Sequence, residues 1–479
     1  MNTSVSQLEI IETEVVVLGG GPAGYPAAFR ASDLGKKVVL IDPEPNPGGV
    51  CLYRGCIPSK ALLHVGAFLD EAKESQHFGV TLGPAKIDLD QLRSYKNQVV
   101  QKITKGVGTL TKSRKIQHIQ GLGKFEDSHH ILVTKTDGST LKVHFQNAII
   151  AAGSRPFMLP AFDLKSDRIM TSTEALELPD IPQKLLCIGG GVIGMELATV
   201  YSSLGSEVTV VELLPQILTG ADPDLVKVLE NKLKSKITFS LKTKVASLSL
   251  KGNQVEALLE LEGGQKTPHL FDRVLVSMGR KSNVDLIGIE NTAVSVDTKG
   301  FITIDNQCRS SENHIYAIGD ITGNPMLAHR GTHQGHIAAE VICGKKVEFN
   351  PLTIPSVVYT NPEIAWCGLT EDQAKKDQIP HQVTKFPWAA SGRATAVGRT
   401  DGLTKILFHP ETGQVLGVGM AGINAGELLG EGLLAVEMGA LASDIAHTIH
   451  PHPTLAETLM EASELFLGHC DHYFVPKKK

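Results

Sequence analysis

The sequence predicts an α/β fold that contains two copies of one strand–turn–helix–strand unit. Two observations predict it. Apolar runs typical of buried parallel strands lead directly into glycine-rich turns, and each turn is followed by a helical stretch and a second strand that ends at a carboxylate. With 479 residues, of which 42% are hydrophobic and 20% charged, the chain has ordinary globular composition and room for about three domains.

The first unit begins with an apolar strand at 15–18 and continues into the turn GGGPAG at 19–24. In such a turn Gly19 permits the tight bend, Gly21 lets the backbone approach a pyrophosphate, and Gly24 lets helix and strand pack closely. The pyrophosphate then meets the positive end of the helix dipole. Asp42 ends the second strand 18 residues after Gly24, where a carboxylate accepts from ribose hydroxyls. The complete pattern predicts a dinucleotide site.

The second unit repeats this order about 170 residues later, with the turn GGGVIG at 189–194 and a second strand that ends at Glu212. Gly189, Gly191 and Gly194 take the three glycine roles. Two dinucleotide sites indicate two cofactors, and a flavin, FAD, with a nicotinamide is the economical pair. Because Glu212 repels a 2′-phosphate and no basic residue occurs at 213–218, the sequence favours NAD over NADP.

Three further strands are predicted, at 148–153, 273–280 and 315–320. Each ends beside a glycine or a carboxylate, which places Gly153, Gly279 and Asp320 at strand ends. That edge of an open α/β sheet is where ligand groups are found, so all three are predicted to contact a cofactor. A plain helix cap is the alternative interpretation of Asp320.

Cys51 and Cys56 stand apart from the other five cysteines, which are predicted to be small buried side chains. On a regular helix, residues five apart have Cα atoms about 8.6 Å apart. A disulfide requires less than about 7 Å. A bridge between them therefore needs a break in the helix, which Gly55 and Pro58 make inexpensive. Such a bridge is easily reduced, which favours a catalytic disulfide over two free thiols.

The stretch CLYRGCIPSK at 51–60 resembles the active-site segment of the pyridine nucleotide-disulfide oxidoreductases. Further matching stretches follow in the same order along nearly the whole chain: AGSRP at 152–156, the second glycine turn with Glu196, AIGD at 317–320, MLAH at 326–329, YTNPE at 359–363 and HPHPTLAE at 450–457. Within the family the resemblance is strongest to the branch that oxidises protein-bound dihydrolipoamide.

The resemblance implies a role for each matching residue. Cys51 is expected to be the outer thiol that exchanges with substrate, and Cys56 the inner thiol that passes electrons to the flavin. Lys60 is expected beside the flavin ring, paired with Glu196. Further cofactor contacts are implied for Gly123 with the FAD adenosine, Asp320 with the ribitol, the Ala328 backbone with the isoalloxazine, and Val245 with the nucleotide.

Dithiol chemistry requires a base, because only a thiolate attacks a disulfide. His452 is the predicted base, since histidine suits neutral pH and Glu457 can fix its tautomer. His450 is the local alternative, but its spacing to Glu457 does not match the family motif. In the family this His–Glu pair completes the disulfide site of the other subunit, which implies a homodimer.

The chain departs from the family pattern at four places, none of which removes a group that the mechanism needs. Asp42 stands for a more usual Glu, Tyr53-Arg54 for Asn and an apolar residue, Ala198 for Gly, and Ser282 for Pro. A fixed positive charge near two thiols favours the thiolate. Arg54 is therefore hypothesised to lower the pKa of the reduced pair, with exposure to solvent as the alternative.

The resemblance predicts four domains: FAD-binding at 1–155, NAD-binding at 156–284, a central domain at 285–352 that completes the FAD site, and an α+β dimerisation domain at 353–479. The expected activity is oxidation of dihydrolipoamide to lipoamide with NAD⁺, for the lipoyl domains of 2-oxo acid dehydrogenase complexes. Glutathione and trypanothione reductases use NADPH and are disfavoured by Glu212. Mercuric reductase is disfavoured because it would carry a C-terminal cysteine pair, and this chain has only Cys470 there. A soluble transhydrogenase would lack the pair that Cys51 and Cys56 form. A docking component without catalysis is the remaining alternative.

Charge and composition exclude several other classes of function. The net charge of −5 argues against nucleic acid as a partner. No window approaches the ~18 consecutive apolar residues of a membrane span, and residues 1–14 lack a signal peptide, so a cytoplasmic protein is expected. Seven scattered cysteines do not form a secreted disulfide framework, and no metal site is predicted. Lys477–Lys479 is expected to be a solvated terminus.

Overall fold

The computed structural model describes residues 8–474, which form two compact units. The first unit contains residues 8–61, 88–157 and 279–350. The second contains residues 62–87, 158–278 and 351–474. The expectation for Lys477–Lys479 lies outside the described residues.

The secondary structure follows the chain in alternating blocks. The helices are α1 (Gly24–Asp33), α2 (Gly49–Arg54), α3 (Cys56–Glu74), α4 (Leu89–Ser113), α5 (Ser172–Leu176), α6 (Val192–Leu204), α7 (Pro223–Leu233), α8 (Ala328–Ile342), α9 (Glu371–Lys376), α10 (Gly392–Ala396), α11 (Ala425–Glu437), α12 (Ala442–His447) and α13 (Glu457–Leu467). The strands are β1 (Glu9–Leu18), β2 (Val38–Asp42), β3 (Gln117–Phe125), β4 (His130–Lys135), β5 (Thr140–Ile150), β6 (Ser154–Pro156), β7 (Ile169–Met170), β8 (Lys184–Ile188), β9 (Glu207–Val211), β10 (Ile237–Ser240), β11 (Lys244–Lys251), β12 (Gln254–Glu260), β13 (Lys266–Phe271), β14 (Arg273–Val276), β15 (Arg280–Ser282), β16 (Ile315–Ala317), β17 (Ser356–Val358), β18 (Glu363–Gly368), β19 (Gln382–Pro387), β20 (Leu403–Phe408) and β21 (Val415–Gly422).

The first unit is built on a parallel sheet in the order β3–β2–β1–β5–β16. The antiparallel strand β4 joins the outer parts of β3 and β5. Helices α1 and α8 pack together on one face through small residues, so that a Cβ at Gly335 would lie 2.6 Å from the Ala23 carbonyl oxygen. The opposite face is a second apolar core shared with β4. Both faces are covered, as the apolar strands predict.

The second unit repeats the parallel arrangement in the order β10–β9–β8–β14–β7. The antiparallel strands β11, β12 and β13 pack against this sheet and share a core with it. A separate five-stranded antiparallel sheet, β17–β18–β21–β20–β19, follows near the C-terminal end. Helices α11 and α13 cover its face, and its core includes Phe386, Phe408 and Leu459.

The predicted elements are present with small shifts at their ends. The strands around both glycine turns and the helix after each turn are confirmed, whereas β1 begins at Glu9, six residues before the predicted strand. Four of its six added residues are polar, but the segment pairs in register with β5 from Leu141 onward. Pairing thus extends the strand where its sequence is not apolar. No helix in residues 8–474 combines the length and apolar character needed to cross a membrane.

Candidate active site

The first glycine turn lies between β1 and α1 and has no room for side chains at two positions. Gly19 has a φ of +104°, and a Cβ there would lie 2.3 Å from the Ala151 carbonyl oxygen. A Cβ at Gly24 would lie 1.8 Å from the Gly19 carbonyl oxygen. Gly21 differs, because the nearest atom to its Cβ position is 3.9 Å away. A side chain at Gly21 would therefore fill open space above the turn, which suits close approach of a ligand phosphate.

The second turn, between β8 and α6, has the same geometry. Gly189 also has a φ of +104°, with its Cβ position 2.6 Å from the Ser277 carbonyl oxygen. The Cβ position of Gly194 lies 2.1 Å from the Gly189 carbonyl oxygen, and that of Gly191 has no atom within 4 Å. Both turns thus leave the same open cradle before a helix N-terminus, as a dinucleotide pyrophosphate requires.

In each unit, a carboxylate at the end of the next strand accepts a hydrogen bond from the middle of the glycine turn. The Gly20 amide donates to Asp42 Oδ2 at 2.6 Å, and the Gly190 amide donates to Glu212 Oε2 at 2.7 Å. Burial raises the pKa of Asp42, while the Gly20 amide acts in the opposite direction. The predicted ribose ligands therefore occupy equivalent positions in the two turns.

Cys51 and Cys56 lie on two consecutive helices that are separated by Gly55. Helix α2 ends at Arg54 and α3 begins at Cys56, so the predicted break in the helix is confirmed. Both cysteines are thiols in the structure, and their side chains are hydrogen-bonded to each other. The break brings together two sulfurs that a regular helix would hold apart.

The surroundings of Cys51 act on its thiol in two directions. The hydrogen bond with Cys56, burial and the charge of Cys56 raise the pKa of Cys51, whereas the Lys60 ammonium lowers it. Arg54 forms an ion pair with Glu44. The hypothesis that Arg54 favours the thiolate stays a prediction, and its guanidinium already has a carboxylate partner.

A side chain at position 55 would collide with the backbone that carries Cys51, the predicted outer cysteine. A Cβ at this position would lie 2.9 Å from the Val50 carbonyl oxygen and 3.3 Å from the Cys51 Cα. Gly55→Ala is therefore expected to displace Cys51 and slow dithiol-dependent reduction of the cofactors at least about tenfold, at a cost of ~1–3 kcal/mol in stability. Stopped-flow kinetics and thermal unfolding measure both effects.

The matched control is Gly106→Ala in the middle of α4. A Cβ at Gly106 has no atom within 4 Å. This variant should keep the wild-type rate and gain up to ~1 kcal/mol in stability. If Gly55→Ala reacted as fast as Gly106→Ala, a side chain at position 55 would not displace Cys51.

A polar network surrounds Asp320, which lies in a short 3₁₀ helix after β16. The Ser154 hydroxyl donates to Asp320 Oδ2 at 2.5 Å. Arg280 donates to the Ser154 hydroxyl and to the Ser154 carbonyl, both at 2.7 Å. Burial lowers the pKa of Arg280, and the charges of Asp320 and Cys56 raise it. Arg280 therefore belongs to the surroundings of the inner cysteine, although sequence reasoning did not select it.

Two further predicted cofactor residues in this unit are glycines in different settings. The Cβ position of Gly123, within β3, lies 2.7 Å from Leu18 Cδ1 and 3.0 Å from Ile131 Cγ2, so packing alone requires glycine there. Gly153, with a φ of +68°, follows β5 and has open space at its Cβ position. Ala328 is the first residue of α8. The cofactor contacts of these three residues stay predictions.

The other residues predicted to bind the nicotinamide nucleotide lie in different settings. Val245 is buried in the core shared by β11 and β9. Glu196 is buried on α6, and its Oε1 accepts from the Tyr359 amide at 3.1 Å. Gly279, with a φ of +114°, precedes β15 in the first unit. The predicted Lys60–Glu196 pair stays a prediction.

His452 and Glu457 form a hydrogen-bonded pair in the second unit. His452 Nδ1 lies 2.7 Å from Glu457 Oε1, and the Thr454 amide donates to Glu457 Oε2 at 2.6 Å. Burial opposes ionisation, but these hydrogen bonds hold the pKa of Glu457 below its usual value. The imidazole is 72% exposed, so Nε2 is open to a substrate while Nδ1 is fixed.

His450 is placed differently from His452. Its Nε2 lies 2.8 Å from Glu431 Oε1, and its Nδ1 lies 2.8 Å from the Thr448 carbonyl oxygen. Both ring nitrogens are therefore engaged, and only 4% of the side chain is exposed. Of the two histidines, His452 has the geometry of a base.

Comparison with protein families decides the class of the chain. The model of the family described as pyridine nucleotide-disulphide oxidoreductase matches residues 13–335, and the dimerisation domain of the same family matches residues 354–463. The chain belongs to the pyridine nucleotide-disulphide oxidoreductase family. The predicted family, enzyme class and fold class are thereby confirmed, and so are FAD and NAD as cofactors.

Curated relatives within this family match along nearly their whole length. Proteins named dihydrolipoyl dehydrogenase from Vibrio cholerae and Haemophilus influenzae are each 49% identical over 458 residues, which cover 96% of this chain and 96% of the relative. The protein of that name from Bacillus subtilis is 41% identical over 460 residues, 96% of this chain and 97% of its own.

Solved structures show the same architecture. LpdA from Mycobacterium tuberculosis aligns with a TM-score of 0.87 at 28% identity, over 95% of this chain and 99% of its own. The HOCl-induced flavoprotein disulfide reductase RclA from Escherichia coli aligns with a TM-score of 0.84 over 94% of this chain and 99% of its own. RclA is only 24% identical and indicates the fold alone.

Proposed function

We propose that this family member oxidises protein-bound dihydrolipoamide to lipoamide with NAD⁺ as the acceptor. The observation that carries the proposal is the adjacent Cys51 and Cys56 thiols at a broken helix, in the unit that also holds the first glycine turn. Full-length relatives at 49% identity that are named dihydrolipoyl dehydrogenase support the same substrate.

The cysteines exchange two electrons with the substrate by disulfide chemistry. His452 removes a proton from one substrate thiol, and the resulting thiolate attacks Cys51 of the oxidised Cys51–Cys56 bridge. A mixed disulfide forms and Cys56 is released as a thiolate. The second substrate thiol then attacks the substrate sulfur of this mixed disulfide, and the bond to Cys51 breaks. Its proton passes to the departing Cys51 sulfur. Lipoamide leaves, and the reduced enzyme holds one proton on His452, one on Cys51, and Cys56 as the thiolate. Lys60 stabilises negative charge on the pair, since its ammonium favours the Cys51 thiolate.

Two sets of residues would hold the cofactors. The first turn with Asp42, Asp320 and Ala328 would hold FAD, together with Lys60, Gly123 and Gly153. The second turn with Glu196 and Glu212 would hold NAD, together with Val245 and Gly279. The open cradles at Gly21 and Gly191 fit a pyrophosphate. When bound, FAD would supply two-electron chemistry between the dithiol and NAD⁺, with hydride transfer to the nicotinamide.

A homodimer completes the proposed site. The chain has the dimerisation domain of the family. Within that domain two large apolar side chains are exposed: Met438, directly after α11, at 74%, and Ile449, three residues before His452, at 95%. Exposed apolar side chains of this size suit an association surface. In the proposed dimer, His452 and Glu457 of each subunit serve the cysteines of the other.

The proposed setting is the cytoplasm and the lipoyl domains of 2-oxo acid dehydrogenase complexes. The relatives that support the substrate also support this setting, because lipoyl groups of such complexes require reoxidation. Glutathione-type disulfide reduction remains the rival activity that the assay below separates from it.

The deciding assay follows NADH formation by the purified holoenzyme with dihydrolipoamide and NAD⁺. NADPH oxidation with oxidised glutathione runs in parallel. Rapid NADH formation and no glutathione reduction are expected. An enzyme with a normal flavin spectrum that reduces glutathione but leaves dihydrolipoamide unchanged would discard the proposed substrate.

Glu212 is expected to set the choice of nicotinamide. Its Oε1 and Oε2 accept from the Leu214 and Gly190 amides, which fix the carboxylate at the edge of the second turn. A carboxylate there repels a 2′-phosphate. Glu212→Gln should therefore raise the ratio of kcat/KM for NADP⁺ to that for NAD⁺ by about tenfold or more, since like-charge contacts cost several kcal/mol.

Glu207→Gln is the control, because Glu207 is an exposed carboxylate on the same strand, β9. This variant should keep the wild-type ratio. An equal change in both variants would assign the preference to general surface charge, and no change in Glu212→Gln would remove Glu212 from cofactor selection.

A further inference from the structure

The chain turns back on itself after α13, so that its last described residues contact the helix. Gly468 ends the helix with a φ of +91°, in the left-handed region that glycine favours. The Tyr473 ring then packs edge-on against Phe386, with ring centroids 6.3 Å apart. This contact holds the returning segment in place against the antiparallel sheet.

The return brings four metal-ligating side chains together, here called the C-terminal cluster: Glu461, Glu464, Cys470 and His472. Glu461 and Glu464 are three residues apart and lie on one face of α13. The Cys470 thiol donates to Glu461 Oε2 at 2.7 Å. His472 Nδ1 is hydrogen-bonded to Glu461 Oε1. Both oxygens of one carboxylate thus face a sulfur and a nitrogen donor.

Three of these donors already surround one point. Ligand atoms of Glu461, Glu464 and Cys470 all lie within 4.8 Å of one another. In a tetrahedral zinc site, bonds of 2.0–2.3 Å place neighbouring donors about 3.5 Å apart. A small inward movement of the three side chains is therefore enough to reach bonding distance. His472 lies beside them through its hydrogen bond to Glu461, and 58% of its side chain is exposed.

The C-terminal cluster places negative charge at a buried position. Glu461 is only 4% exposed, and Asp471 adds another carboxylate close to Glu464. Within residues 8–474 the ion-pair partner of Glu461 is His472, which is positively charged only when its imidazole is protonated. A buried carboxylate beside a second one is costly without a cation.

We propose that the C-terminal cluster binds one divalent cation of the zinc class. Carboxylate oxygens alone would suit magnesium or calcium, but a thiol and an imidazole in the same set select a softer ion. On binding, Cys470 releases its proton to solvent and coordinates as the thiolate, and His472 coordinates through neutral Nδ1. No electron transfer is involved. The proposal does not depend on the substrate proposed above.

Equilibrium dialysis of the oxidised holoenzyme against zinc tests this site. The oxidised form is used because Cys51 and Cys56 are then joined and do not offer thiolates. One tightly bound zinc per chain is expected. Cys470→Ser and His472→Gln should each weaken zinc binding at least about tenfold, as the loss of a ligand does more than the loss of its supporting hydrogen bond.

Cys343→Ser is the matched control, because Cys343 is another half-buried cysteine after a helix end. It should bind zinc as tightly as wild type does. A second readout is alkylation of Cys470 followed by peptide mass analysis, which zinc should slow and magnesium should not. Equal zinc binding by Cys470→Ser and wild type would overturn the site, and equal affinity for magnesium would overturn the choice of ion.

Discussion

The Cys51→Ser variant is expected to lose dihydrolipoamide oxidation by at least about a thousandfold, because a serine hydroxyl cannot form the disulfide that stores the two substrate electrons. The same variant should still bind both cofactors, since Cys51 does not contribute to either glycine turn. Its NADH-dependent reduction of an artificial electron acceptor should therefore remain close to wild type. Steady-state rates with dihydrolipoamide and with the acceptor measure the two activities separately.

Cys56→Ser should lose the same substrate activity for a different reason. Cys51 is then the remaining thiol, so its thiolate can open the disulfide of oxidised lipoamide and form a mixed disulfide, which frees the second lipoamide sulfur as a thiolate. No Cys56 thiol is present to resolve this mixed disulfide. After incubation with oxidised lipoamide, mass spectrometry should find the adduct on Cys56→Ser and not on Cys51→Ser. Cys343→Ser is the control for cysteine removal and should keep full activity. An adduct on both variants or on neither would contradict the assignment of outer and inner thiols.

Local sequence was sufficient to predict the nucleotide turns, because their geometry depends on neighbours within a few residues. Gly19 and Gly189 share one backbone conformation, and Asp42 and Glu212 accept from equivalent amides. The break at Gly55 was predictable for the same reason, since two sulfurs five residues apart on a helix are too far apart to bridge.

Contacts between distant segments were beyond what the sequence indicates. Ser154, Arg280 and Asp320 come from three strand ends separated by up to 166 residues, yet they form one hydrogen-bonded network. Asp320 is predicted because a carboxylate ends the strand at 315–320, whereas the strand at 273–280 led to Gly279 and not to Arg280, whose partner Ser154 is distant in sequence. The first six residues of β1 were not predicted as strand, because three glutamates interrupt the apolar pattern there and pairing with β5 makes the segment a strand.

The five cysteines outside the redox pair are predicted to be buried, and this prediction is confirmed for three of them and wrong for two. Cys187, Cys308 and Cys367 are buried, as predicted, because strands and turns of the cores enclose them. Cys343 and Cys470 are only half-buried, so that prediction is wrong for them. Cys470 has a carboxylate partner because Gly468 reverses the chain, and periodicity does not reveal where a chain lies after such a turn.

His452→Gln is expected to slow dihydrolipoamide oxidation about 10²–10⁴-fold, the usual contribution of a general base. Glutamine keeps a similar shape but cannot accept the proton of the substrate thiol. Since the pKa of Glu457 is held below its usual value, Glu457 stays ionised near neutral pH and cannot account for a loss of rate on mild acidification. The acid limb of the pH–rate profile should therefore be present in wild type and absent in His452→Gln.

Two more variants separate catalysis from structure in this pair. Glu457→Gln should lower the rate less than His452→Gln does and retain the acid limb, because the imidazole remains but its Nδ1 loses the carboxylate at 2.7 Å. His447→Gln, at an exposed position on α12, should react like wild type. If His452→Gln kept the acid limb with a reduced rate, another group would be the base, and His452 would serve only to position the substrate.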